Sequence, residues 1–140
     1  MSGSDAPATA ETSPDGSVLL AISNEMVRLF KQQFGRGPTK ARTNWAGPDT
    51  LVVMLEETLT PAERSLVKMG EHERLRETRS FFQYASVREF CEPVERITGR
   101  KVRAFISGID TVANGLACET FVLYPVGAEH RPSRIEAAER

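Results

Sequence analysis

The stretch from Gly35 to Arg64 constrains the fold more than any other part of the chain, because it contains in order a helix stop, an amphipathic strand, a turn, an apolar strand and a helix start. Gly35, Gly37 and Pro38 end a preceding helix, since glycine tolerates the left-handed conformation that closes helices and proline cannot continue one. From Thr39 to Trp45 the side chains alternate. Thr39, Ala41, Thr43 and Trp45 share one face and Lys40, Arg42 and Asn44 the other, as expected for a strand covered on one side with a basic outer face. Gly47-Pro48-Asp49 is turn chemistry, and Leu51 to Leu55 is an apolar, partly β-branched run, so the pair predicts an antiparallel hairpin. Thr60 is placed to cap the next helix, Pro61 suits its first position, and Glu63 completes a capping box whose charge favours the positive helix end.

The flanking segments extend the pattern. Val18, Leu19, Ile22, Met26, Leu29 and Phe30 recur at spacings of three and four, which predicts a first helix with one apolar face ending near Phe34. A short helix from Pro61 to about Met69 should break near Gly70, followed by a longer one. Leu75, Phe82, Phe90, Val94 and Ile97 mark the buried stripe of that longer helix, Pro93 should kink it, and Gly99 should close it. Val102 to Ser107 alternates again, and Asn114-Gly115 suits the positive backbone angles of a turn into Leu116–Tyr124. Both faces of that last strand are apolar, so it should be central or covered twice. The predicted architecture is α+β: a four-stranded, mainly antiparallel sheet made of two β-hairpins and packed against helices, in the order α-ββ-α-α-ββ. Residues 17–125 form one domain between a disordered polar tail at 1–16 and a flexible C-terminal tail at 126–140. The Gly-Arg steps at Gly35-Arg36 and Gly99-Arg100 each lead from a helix end into a basic strand. They mark either two helix–hairpin units in one sheet or a cap chemistry common to unrelated helices.

Four blocks, Gly-Arg-Gly-Pro-Thr-Lys-Ala-Arg at 35–42, Leu-Thr-Pro-Ala-Glu-Arg at 59–64, Val-Glu-Arg-Ile-Thr-Gly-Arg-Lys-Val at 94–102 and Glu-Thr-Phe-Val-Leu at 119–123, together resemble the MpsC-like family over about residues 18–125. That is a small domain of unknown function named after a component of a sodium-translocating, membrane-potential-generating system. The resemblance implies a connection with a membrane ion- or bicarbonate-transport system and supplies no catalytic residues. Pro93 and Asn114-Gly115 depart from the family's usual pattern.

Composition narrows the classes further. With 140 residues, 40% of them hydrophobic, the chain can bury one modest core, and a homodimer would enlarge it. A net charge of −1 argues against non-specific nucleic-acid binding, which needs a basic excess. No window approaches the ~20 apolar residues of a membrane span, so a membrane role calls for a partner protein rather than insertion. Residues 1–16 lack the positive start and apolar segment of a secretion signal. Cys91 and Cys118 fall in a predicted helix and strand, not in a paired motif, which fits two buried thiols in a cytoplasmic setting. His72 and His130 are isolated from them, so neither a metal site nor a cofactor is expected.

Candidate sites are few. Arg36, Lys40 and Arg42, joined by Arg100 and Arg103, could bind an anion together with the amides around Gly37, because guanidinium forks and exposed N–H groups suit phosphate or carboxylate. The loop is not a Walker loop, since it leads into a strand, and charged alternation is also how edge strands avoid aggregation. Glu56 and Glu57 adjoin in a strand and point to opposite faces, which denies them paired acid–base work. Arg74, Arg76, Glu77 and Arg79 read as an exposed helix side. Glu119 interrupts an apolar strand and, if buried, needs a cation, for which Arg42 or Arg103 on a neighbouring strand is the expected partner. These features favour a non-catalytic accessory or regulatory interaction module. The alternatives are a small-anion or nucleic-acid-binding domain using the basic strand face and, less supported, an enzyme of unknown type.

Overall fold

The computed structural model describes residues 14–128 and 130–138, so most of the polar tail expected at 1–16 lies outside the described residues. Helix α1 (Pro14–Phe34) begins inside that expected tail and buries Ile22, Met26, Leu29 and Phe30 along one face. The left-handed Gly35, at φ 81°, closes it and donates its N–H to the Lys31 carbonyl at 2.9 Å. Strands β1 (Lys40–Trp45) and β2 (Thr50–Glu56) form the expected hairpin, in register from Lys40 opposite Glu56 to Trp45 opposite Leu51. Helix α2 (Pro61–Lys68) starts at the capping box. The Glu63 N–H donates to Thr60 Oγ1 at 3.2 Å, and the Thr60 N–H donates to Glu63 Oε1 at 2.8 Å.

The long helix expected after Gly70 is two helices, α3 (His72–Ala85) and α4 (Val87–Thr98), with the break at Ser86 and Pro93 buried inside α4. The break turns α3 away from the predicted stripe: Phe82 is 47% exposed, while Leu75, Arg79 and Gln83, each four residues apart, are buried. Strands β3 (Val102–Asp110) and β4 (Leu116–Leu123) complete a sheet in the order β1-β2-β4-β3, antiparallel throughout. The predicted α+β class and its α-ββ-α-α-ββ order are therefore observed, with the second of the two middle helices divided at Ser86. β4 is central, as its two apolar faces suggested.

The helices pack on one face of this sheet. Leu51, Val53, Leu55, Phe105, Ala117, Phe121 and Leu123 point into a core shared with Ile22, Met26, Phe30, Phe90 and Val94. A row of rings runs through it, from Phe30 to Phe90, Phe105 and Phe121, with centroids 6.0, 5.5 and 5.2 Å apart. The topology is that of two α-β-β units: α1 lies on β1, α4 lies on β3, α1 packs against α4, and the hairpins meet at β2 and β4. The repeated Gly-Arg step does the same work in each unit. Arg36 Nη1 donates to the Leu59 carbonyl at 2.6 Å and Arg100 Nη2 to the Tyr124 carbonyl at 2.8 Å, each tying a helix end to the segment that follows its hairpin.

The C-terminal region corrects one expectation. Residues 126–140, predicted to be a flexible tail, contain helix α5 (Arg134–Ala138), whose Ile135 is 8% exposed and joins the core. Ser133 and Glu136 cap it reciprocally, at 3.1 and 3.4 Å. A single apolar anchor in a charge-balanced segment leaves no periodicity for sequence analysis to detect.

Because both capping-box hydrogen bonds form, Thr60→Ala should lower stability by about 1 kcal/mol, read as a shift of the urea midpoint at unchanged slope. An unchanged midpoint would show that the cap contributes nothing.

Candidate functional site

The sheet separates the basic residues picked out in the sequence. Lys40 and Arg42 lie on the exposed side of β1, whereas Arg103 belongs to β3 at the other edge, with β2 and β4 between them. Arg36 spends a guanidinium nitrogen on the Leu59 carbonyl. Gly37 lies beside α1, where an added Cβ would sit 3.4 Å from Val27 Cγ1, an ordinary contact distance. Arg100 is held by Asp49 and by the Pro48 and Tyr124 carbonyls. The expected anion site on one strand face is therefore not assembled: of Arg36, Gly37, Lys40, Arg42 and Arg103, only Lys40 and Arg42 stand side by side on one surface.

Glu119 is fully buried, as expected, but its partner is not Arg42 or Arg103. In the ladder Glu119 lies opposite Val53, which lies opposite Thr43; all three point to the helices. Alternation then puts Arg42 on the other side of the sheet, out of reach. The contact comes instead from α3, where Gln83 Nε2 donates to Glu119 Oε2 at 3.0 Å. Glu119 Oε1 and the hydroxyl of Ser107 lie directly opposite in the β3–β4 register, close enough to act on each other but outside close hydrogen-bond geometry, and neither has another partner among the described residues. Burial pushes the Glu119 carboxyl up to about 8; the Ser107 hydroxyl and the Arg79 charge pull the other way without offsetting it.

One turn before Gln83 lies Arg79, 1% exposed and read from sequence as part of an exposed helix side. Its Nε donates to Glu63 Oε2 at 2.6 Å, and its Nη2 to Glu63 Oε1 at 2.9 Å and to the Thr58 carbonyl at 2.7 Å. The guanidinium carbon stands 4.3 Å from the centroid of the Phe34 ring. Glu63 thus serves the α2 cap and the buried arginine together. This knot joins α1, α2, α3 and the segment after β2, and leaves Arg79 Nη1 buried without a hydrogen-bond partner among the described residues. The sequence signal for it is the four-residue spacing Leu75, Arg79, Gln83, Val87, a buried stripe with polar members.

The opposite face of the sheet has no described element upon it. The register builds it in rows: Thr50, Val122 and Ala104; then Asn44, Val52, Thr120 and Ile106; then Arg42, Met54, Cys118 and Gly108. On the edge strand β3 Ile106 is 56% exposed, and on the two central strands Val52, Met54 and Cys118 are half-buried around Thr120. The next row starts at Lys40 and Glu56 on β1 and β2 and ends at Leu116 and Asp110 on β4 and β3, a cation at one edge and an anion at the other.

Residues 15–124 match the family model described as Na+-translocating membrane potential-generating system (MpsC). No curated protein and no solved structure matches the chain.

Two predictions concern the buried groups. The Glu119 carboxyl titrates near 8 in the fold against an ordinary value of 4.5, so between these values the folded chain holds a proton that the unfolded chain has released. Its contribution to stability is complete below the lower value and is lost as pH rises towards the upper one. Glu119→Gln removes this titration, so the stability of the variant relative to wild type should rise steadily from pH 5 to pH 8, measured by denaturation at each pH; a constant difference would contradict the assignment. Arg79→Ala, which strands Glu63 and the Thr58 carbonyl, should cost about 3–5 kcal/mol in the same measurement, and a loss under about 1 kcal/mol would mean the pair behaves as an exposed one.

Proposed function

Because the chain belongs to the MpsC family, we propose that it is a non-catalytic accessory module of a membrane ion-transport system, acting as a homodimer that docks a partner protein. The observation that carries the reading is the uncovered apolar sheet face centred on Val52, Met54, Cys118 and Ile106. Among the described residues no helix is long and apolar enough to cross a membrane, so the proposed association runs through protein contacts. The free thiols of Cys91 and Cys118 fit a cytoplasmic setting, and burial pushes the Cys91 thiol up to about 12, which keeps it inert.

A second copy of the chain is the occupant that suits the open face. Four strands about 4.8 Å apart, advancing about 3.3 Å per residue, present a footprint of roughly 20 Å by 20 Å. That footprint is about half of the roughly 800 Å² per partner that a standard interface buries, so the surrounding rim has to supply the remainder. A two-fold axis parallel to the strands brings β1 of one protomer over β3 of the other at the same level, so Lys40 meets the partner's Asp110 at both rims and the apolar rows meet in the middle. The chain's own N-terminal segment is a poor alternative cover, because residues 2–13 contain no large apolar side chain.

Sedimentation tests the reading. Wild type should run as a dimer at micromolar concentration, and Val52→Glu, which places a charge at the centre of the face, should run as a folded monomer with an unchanged circular dichroism spectrum. A wild-type monomer at high micromolar concentration, or a Val52→Glu dimer, would remove this interface.

A further inference from the structure

At one end of the open sheet face the chain forms a cleft of about 690 Å³, walled by the β1–β2 turn, the end of β4 and the loop leading to α5. Arg103 from β3 and Arg131 and His130 from the loop line it, facing a floor that includes Thr50, Val122 and Tyr124. We propose that this cleft binds a small phosphate-bearing ligand, held by Arg103, Arg131 and His130.

The charge balance of the cleft supports an anion. Its acidic lining residue among the described ones, Asp49, is already matched by Arg100, which also takes the Pro48 and Tyr124 carbonyls and stands 5.9 Å from the centroid of the Trp45 ring. Arg100 therefore fixes the floor rather than serving a ligand. Among the described residues no ion pair engages Arg103 or Arg131, and both line the cleft. The loop that supplies Arg131 is shaped by its own turns, with the Ala128 N–H on the Pro125 carbonyl and the Arg131 N–H on the Ala128 carbonyl, both at 3.2 Å.

The donor set selects phosphate over carboxylate. Two guanidinium forks and an imidazole supplied from two separate elements offer donors to three oxygens of a tetrahedral dianion, where a carboxylate has two oxygens to offer. The cleft volume falls in the range of small organic ligands, and Val122 and Tyr124 give an apolar wall for the group that carries the phosphate. The anion-binding role foreseen for Arg103 is thereby placed with partners from the C-terminal loop instead of with Arg36, Lys40 and Arg42. This proposal does not depend on self-association, since every residue named comes from one chain.

Calorimetric titration of the full chain with phenyl phosphate and with inorganic phosphate tests it, alongside sedimentation with vesicles of phosphatidic acid and of phosphatidylcholine. Phenyl phosphate should bind, Arg103→Ala and Arg131→Ala should each weaken it tenfold or more, and Lys40→Ala, on the far edge of the sheet, should leave it unchanged. Binding to phosphatidic acid vesicles that is lost in the same two variants, without binding of the soluble phosphates, would assign the site to a lipid phosphate headgroup. Equal affinity in the Arg103→Ala Arg131→Ala double variant, an equal loss in Lys40→Ala, or binding of none of these probes at millimolar concentration would overturn the proposal. The sedimentation behaviour of the same samples reports the dimer separately, so either idea can fail alone.

Discussion

The pairing of β2 with β4 is the constraint on which the rest of the molecule depends. Residues 50–55 meet residues 117–122 across more than sixty positions of sequence, and this one ladder converts two local α-β-β units into a single sheet. It also puts α1 and α4 on the same side, where they pack against each other and enclose the row of phenylalanine rings. Such a non-local contact costs chain entropy before it gains anything, and the apolar inward faces of both strands are what repay it.

The same ladder explains why the chain carries a buried carboxyl. Glu119 sits on the helix side of the central strand because alternation gives it no other choice, and α3 brings Gln83 rather than a cation to meet it. Four residues earlier in α3, Arg79 directs its Nε and Nη2 to Glu63 and the Thr58 carbonyl, so it makes no direct contact with Glu119 and only partly offsets the effect of burial there. Glu63 thus meets a guanidinium whereas Glu119 meets an amide, and burial raises the Glu119 carboxyl above its ordinary titration range.

With helices on one face only, the sheet divides the molecule into a side that holds it together and a side available for contacts. The rows of the open side place apolar groups at the centre and opposite charges at the two edges, an arrangement suited to a symmetric partner. The cleft adjoins this side at its end, built from the last strand and the loop beyond it.

Local chemistry was enough to determine much of this protein. The stop at Gly35, the capping box at Thr60 and Glu63, both hairpins and the class of the fold follow from residues near one another in sequence, because caps, turns and alternation act over a few positions. The burial of Glu119 was legible too, from its place in an apolar strand. Its partner was not, because Gln83 is brought to it only when α3 crosses the sheet, and the break at Ser86 that orients α3 carries no strong signal of its own. Arg79 was misjudged for the same reason: charge predicts exposure until a tertiary contact supplies the counter-charge, and Glu63 was already accounted for as a cap. Ile135 and the cleft beside Arg131 depend on where the chain returns after β4, and the scatter of Arg36, Lys40, Arg42 and Arg103 over two edges depends on strand order. Sequence determined most of the helix, strand and turn segments, apart from the break at Ser86 and the last helix; only the packing of those segments decided which polar groups meet, since partners distant along the chain have no local physics to announce them.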